Sequence, residues 1–89
     1  MANYTYITAS ANIKPMAGKL KGIFVSAASG ITPTITVYDS AAATTTTTIL
    51  GTFTPAAATS YLLPLDGAYA KNGIYVVISG TVNATVIYE

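Results

Sequence analysis

The chain has 89 residues and a mass of 9.1 kDa, which leaves room for one domain with a modest core. Charged residues make up 8% of it, against about 25% in an average soluble domain, and the formal net charge is +1. The absence of Cys and His excludes a disulfide framework and the usual zinc and copper sites, and the low charge favours a surface that is largely covered by neighbouring protein.

The predicted elements are all strands, because Val, Ile, Thr and Tyr dominate runs in which side chains alternate in character. Strands are predicted at residues 4–9, 19–26, 34–38, 47–53, 60–63, 66–69, 74–78 and 81–88. In the third of these, Ile35 and Val37 share one face, which we expect to be core. The run at 74–78 is apolar on both faces, which predicts a central strand.

The last two strands are predicted to form a hairpin through Ser79 and Gly80, because Gly adopts the positive φ that a two-residue turn requires. Turn residues also separate the earlier runs: Pro15 with Gly18, Gly30 with Pro33, Gly51, Pro55, Pro64, Asp66 with Gly67, and Asn72 with Gly73. The Ala- and Thr-rich residues 40–48 predict a surface loop, either a contact loop or a plain connection. We therefore predict an all-β fold, a single-domain antiparallel β-sandwich over residues 1–89, jelly-roll-like and built from about seven to eight short strands.

The chain carries no recognisable targeting segment. Residues 1–6 contain neither a basic nor an apolar region, so we expect no secretory signal. Polar residues interrupt every hydrophobic run well short of about 18 residues, so we expect no membrane-spanning segment. The lack of Cys agrees with folding in a reducing cytosol.

The acidic residues are Asp39, Asp66 and Glu89, and we expect none of them to be catalytic. Asp39 and Asp66 are interpreted as turn residues, since an Asp side chain bonds the backbone just ahead of it. A Ser nucleophile would lack its usual base, because the chain has no His, and no glycine-rich phosphate-binding motif occurs. We therefore predict no enzyme activity and no catalytic, cofactor-binding or metal site.

The remaining candidate functional residues are the lysines and tyrosines. Without a single Arg, the four lysines are too few for a nucleic-acid footprint, so edge protection or a partner carboxylate better explains Lys19 and Lys21. The lysines are Lys14, Lys19, Lys21 and Lys71. Among the seven tyrosines, we interpret four as interface or core residues, with a sugar-stacking platform as the alternative. These four are Tyr4, Tyr6, Tyr38 and Tyr88.

Several segments together carry a family likeness. They read GKLKGIFV at residues 18–25, TVYDS at 36–40, GIYVVISGT at 73–81 and VIYE at 86–89. In these segments the chain resembles small structural proteins of tailed bacteriophage virions. The resemblance implies a head decoration, or cement, protein that binds the major capsid protein or another virion protein and ties neighbouring capsomers together. It implies a homo-oligomer, commonly a trimer or another small oligomer, in a virion assembled in the host cytoplasm, with no cofactor and with neither nucleic acid nor membrane as a partner.

Other functions remain open at this point. Within a virion, the chain is alternatively a tail, baseplate or head-fibre component, including a small receptor-binding knob. A carbohydrate-binding module is the alternative from another class, and an enzyme fragment is a third. For the decoration protein, burial of Tyr, Val and Ile at each lattice contact would be weak alone and strong when repeated over a shell.

Overall fold

The computed structural model describes residues 3–42, 47–56, 58–63 and 67–89, with only the backbone of residues 30–32. Within these ranges the chain forms one antiparallel sheet of seven strands and no helix, so the prediction of an all-β chain is confirmed. The strands are β1 (Asn3–Ile7), β2 (Ala11–Lys14), β3 (Gly18–Tyr38), β4 (Thr48–Phe53), β5 (Thr59–Leu62), β6 (Ala68–Ala70) and β7 (Ile74–Tyr88).

Two long strands, β3 and β7, form the centre of the sheet. They pair antiparallel from Leu20 opposite Tyr88 to Tyr38 opposite Tyr75. On its other side β7 pairs with β1 and β2, while β3 pairs with β4, β5 and β6. The central position predicted for the strand at 74–78 is therefore confirmed, since every shorter strand depends on this pair for its hydrogen bonds.

The register between β3 and β7 shifts at three places, and the largest shift is a bulge between Ser29 and Thr34. Ser29 pairs with Thr81 and Thr34 pairs with Ser79, so five residue steps along β3 lie opposite only two along β7. Extra residues on one strand bend it and increase its twist. Gly80 lies opposite the bulge with a φ of +84°. The bulge divides the sheet into a β1 half, which contains β1, β5 and β6, and a β2 half, which contains β2 and β4.

The predicted hairpin at Ser79 and Gly80 is wrong, because both residues lie inside the continuous strand β7. Likewise, the separate strands predicted at 19–26 and 34–38 are parts of the single strand β3. Gly80 does adopt the expected positive φ, but it uses this conformation to bend a strand and not to reverse the chain.

The sheet curls so that side chains from both halves meet in one core. The β2 half contributes Ile35 and Val37, both 0% exposed, which confirms the face predicted for them. The remaining buried apolar residues are Ile7, Leu20, Ile23, Val25, Ala70, Ile74, Val76, Val82, Ala84 and Val86. Buried Thr36 pairs its hydroxyl with that of Thr52 at 2.6 Å, and no buried side-chain N or O of the described residues lacks a partner.

Candidate interaction surface

The Asp39 carboxylate stabilises the turn that precedes β7. Its carboxylate accepts hydrogen bonds from the backbone N–H groups of Asn72 at 2.7 Å, Lys71 at 3.2 Å and Gly73 at 3.3 Å. The predicted local turn at Asp39 is therefore wrong, since its partners lie more than thirty residues along the chain. The neighbouring Ser40 makes the local bond instead, because its Oγ accepts from the Ala42 N–H at 3.1 Å. Asp66, the other predicted turn residue, lies outside the described residues, as do residues 43–46 of the predicted 40–48 loop.

These bonds stabilise the charged form of Asp39. The Asn72 N–H is the largest cause that holds the pKa of the Asp39 carboxyl below its ordinary value of 3.8, and partial desolvation opposes it. The N–H groups of Lys71 and Gly73 lower the pKa further. Because the folded pKa is depressed, the stability from this carboxylate is present above the unfolded value and is lost as the pH falls through the folded one.

We expect Asp39→Asn to lower the free energy of unfolding by about 1 kcal/mol at pH 7, since it keeps the shape but removes the charge from three partly solvated bonds. The difference between the two proteins should shrink as the pH falls below about 4 and vanish once Asp39 is protonated. Urea denaturation at several pH values measures this. A difference that stays constant down to pH 2 would contradict the role given to the charge.

Glu89 lies near two lysines. The Glu89 Oε1 atom is 4.0 Å from Lys21 Nζ, and Lys14 Nζ donates a hydrogen bond to the main-chain oxygen of Glu89 at 2.7 Å. Lys19 and Lys21 belong to β3, which has neighbours on both sides, so the prediction that they protect a sheet edge is wrong. The described part of the chain contains no group of three or more metal-ligating side chains. It also contains no helix that is long and apolar enough to cross a bilayer.

The four singled-out tyrosines divide into two environments. Tyr38 and Tyr88 are half-buried: Tyr38 pairs with Tyr75 across the strands at 6.4 Å between ring centroids, and the Tyr88 hydroxyl accepts from Thr5 at 3.3 Å. Tyr4 and Tyr6 are 76% and 56% exposed on β1. Tyr38 and Tyr88 therefore have partners within the chain, whereas Tyr4 and Tyr6 present their rings to solvent.

Exposed apolar side chains concentrate on one surface of the β1 half. Of the six large hydrophobic residues that are exposed in the described chain, all but Met16 lie on the side of this half that faces away from the core. We name this surface the outer face; its members are Tyr4, Tyr6, Phe24, Leu62 and Tyr69. Scattered exposed hydrophobics need no explanation, but a contiguous set marks an interaction site.

The strand register aligns four of the five members of the outer face in two rows, whereas Tyr69 lies outside them, opposite Lys19. One row runs from Tyr4 through Ile87 and Gly22 to Leu62, and the other runs from Tyr6 through Thr85 and Phe24 to Ser60. Neither row contains a charged residue. Cross-strand neighbours on one face are close enough to act as a unit, so the rows form an uncharged strip across four strands, in which Thr85 and Ser60 are the polar residues.

Gly22 makes room for the Leu62 side chain at the centre of this strip. A Cβ atom at this position would lie 2.9 Å from the Leu62 Cδ2 atom and 3.0 Å from the Tyr61 carbonyl oxygen. The Leu62 side chain can therefore lie over the backbone of β3 only because residue 22 has no side chain. Leu62 is nevertheless 70% exposed, so its far side is available for contact.

An open apolar groove adjoins the outer face between the free edges of β4 and β5. It has a volume of about 250 Å³ and is lined by Leu50, Gly51, Phe53, Tyr61, Leu62 and Leu63. The Phe53 and Tyr61 rings pack at 5.0 Å between centroids, and Leu62 belongs to both the groove and the outer face. The groove extends the apolar surface around the edge of the sheet.

Sequence reasoning found only part of this surface. Tyr4 and Tyr6 were singled out, whereas Phe24, Leu62 and Tyr69 were missed as interface candidates. The signal was present, since Phe24 stands between the core residues Ile23 and Val25, and period-two alternation puts it on the opposite face. What the sequence lacked was the strand order that places these residues beside each other.

Comparison with protein-family models, with curated proteins and with solved structures gives no significant match to this chain.

Proposed function

We propose that this chain is a non-enzymatic structural protein of a tailed bacteriophage virion, most simply a head decoration or cement protein that binds the lattice of the major capsid protein. The observation that carries the proposal is the outer face, which collects five exposed apolar side chains on one surface of the sheet. Charged residues make up only 8% of the chain, so surface charge does little to keep the protein from associating with other proteins.

The physical basis of binding would be burial of the outer face at each lattice site. Buried apolar area contributes roughly 25 cal/mol per Å², and aromatic residues are the usual anchors of protein interfaces. A single small contact of this kind is weak, but oligomers that engage several sites at once gain avidity. A homo-oligomer on the virion surface, assembled in the host cytoplasm, therefore belongs to the proposal.

We also propose that the curled sheet is a β-sandwich in which the β1 half and the β2 half are the two layers. Support comes from the bulge shared by β3 and β7 and from the single core to which both halves contribute. Strands that pass from one layer to the other through a bulge are typical of orthogonal sandwich packing.

The experiment is to purify particles from cells that carry this gene, to measure their protein content and to locate the chain by cryo-electron microscopy. We expect a fixed ratio to the major capsid protein, with the outer face turned toward the shell. Recovery of the chain only in the soluble fraction, or only at the tail, would contradict the decoration role. The second of these results would favour the tail or baseplate alternative.

A matched pair of variants tests the surface itself. Tyr6→Ser removes a ring from the outer face, whereas Met16→Ser removes an equally exposed apolar side chain that lies off it. Added to particles stripped of this protein, Tyr6→Ser should bind at least about tenfold more weakly, a change of roughly 1.4 kcal/mol, and Met16→Ser should bind normally. Equal binding by both variants would contradict the role of the outer face.

A carbohydrate-binding module is the second candidate, because the exposed rings of Tyr4, Tyr6 and Tyr69 on one side of the sheet could stack on sugar rings while their hydroxyls form hydrogen bonds. A glycan array with the purified protein separates the two functions. Binding that Tyr6→Ser abolishes, without any binding to particles, would favour the carbohydrate function.

A further inference from the structure

The free edge of β1 differs from the other sheet edges of the described chain. β2 ends at Lys14 before Pro15 and has a register shift, and the pairing of β4 with β3 shifts twice. Strands β5 and β6 have only four and three residues. Charges, Pro, irregular pairing and shortness are the usual devices that prevent a sheet edge from pairing with another chain.

β1 has none of these devices. Its residues Asn3–Ile7 pair with β7 in unbroken register, and they include no charged residue, Pro or Gly. In the described chain its only strand partner is β7, so the backbone groups on its other side are free to pair. A second copy of the same strand can pair with this uncharged edge, because no like charges would meet.

We propose that two copies of this chain associate through β1, paired antiparallel about a twofold axis at Thr5. This register is the one that uses all five residues: Thr5 faces Thr5 of the second copy, and each Tyr4 faces Tyr6 of the second copy. Two aromatic cross-strand pairs then form on the outer face, which becomes continuous across both copies. The inference rests on the proposed function for the role of the pair, and among the small oligomers that the virion resemblance allows it selects a twofold dimer over the favoured trimer.

The pair should be weak in dilute solution. A single five-residue pairing buries less surface than the roughly 1,200–2,000 Å² of a standard interface, so we expect a dissociation constant on the order of micromolar or weaker. On a lattice the two copies would be held side by side, and the effective concentration would favour the paired state.

Disulfide trapping tests the register, because the chain contains no Cys and any new one is a clean probe. Antiparallel partners have Cα atoms about 4.5–5.5 Å apart, within the range that a disulfide spans. Under mild oxidation Thr5→Cys should form a cross-linked dimer at least tenfold faster than Asn72→Cys, which places the thiol on an exposed turn. Equal rates, with both variants folded by circular dichroism, overturn the register.

Two charge variants test the edge and keep this inference separate from the proposed function. Tyr4→Lys with Tyr6→Lys would place four like charges in two adjacent cross-strand pairs, so the variant should sediment as a monomer where the parent approaches twice the 9.1 kDa chain mass. Leu62→Lys with Tyr69→Lys alters the same face far from β1, and this variant should still dimerise while binding particles poorly.

Three results would overturn the pairing: a dimer in the first variant, no dimer in the second, or a parent protein at three times the chain mass. Normal pairing without any particle binding would contradict the proposed function alone.

Discussion

Replacing Gly80 with Ala is expected to lower the free energy of unfolding by about 2–3 kcal/mol, the largest effect we predict for a single added methyl group. Two independent causes act at this position. Its φ of +84° is a conformation that L residues rarely adopt, and a Cβ would lie 2.9 Å from the Pro33 Cα atom on the opposite strand. The contact involves backbone on both sides, so neither strand can yield without disturbing the bulge.

Thermal or urea denaturation measures the effect, which should appear as a fall in Tm of roughly 10–20 °C for a domain of this size. Gly51→Ala is the matched control, because Gly51 also lies in a strand but a Cβ there would have no atom within 4 Å. We expect that change to stay within about 0.5 kcal/mol of the parent. Equal losses in the two variants would mean that the bulge does not depend on Gly80.

Truncation of Ile23 to Ala is expected to cost about 2–5 kcal/mol. Ile23 is 1% exposed and stands between Val86 on β7 and Tyr61 on β5, so its side chain fills the core where three strands meet. Since a domain of this length has a total stability of only about 5–13 kcal/mol, the variant should be near its folding limit. Ile23→Val, at about 0.5–1.5 kcal/mol, provides a milder form that remains measurable.

The adjacent Phe24→Ala is the control for Ile23, because Phe24 belongs to the outer face and not to the core. We expect it to cost about 1 kcal/mol or less in the free energy of unfolding, while weakening the association of the protein with its partner. Chemical denaturation of the three variants gives the comparison. If Phe24→Ala proved as destabilising as Ile23→Ala, the outer face would be part of the folding core and not an interaction surface.

Local alternation in the sequence was sufficient to predict the class of fold and much of the core. Ile35 and Val37 were placed correctly because period two is a property of each strand by itself. Tyr4 and Tyr6 were interpreted as interface or core residues for a different reason, the large contact area and polar tip of a Tyr side chain. The proposed self-pairing of β1 also depends on the composition of a single strand, since β1 lacks the charges and the Pro that usually protect a sheet edge.

Features that depend on distant residues could not be predicted. Gly80 was correctly expected to have a positive φ, but whether such a residue reverses a chain or bends it depends on the opposite strand, about fifty residues earlier at Pro33. Asp39 was expected to bond the backbone just ahead of it, whereas its partners are the N–H groups of residues 71–73, which local reasoning cannot identify. The outer face is similarly a product of strand order.

The central pair of β3 and β7 also has a consequence for how the chain is made. The side of β3 that faces β7 acquires its partners only when residues 75–88 have been synthesised, whereas β4, β5 and β6 can pair with its other side earlier. Topologies dominated by such distant pairings fold slowly, on the scale of milliseconds to seconds. During that interval the nascent strands are open to wrong partners, and the concentration of newly made chains should therefore decide how much of the protein reaches its native form.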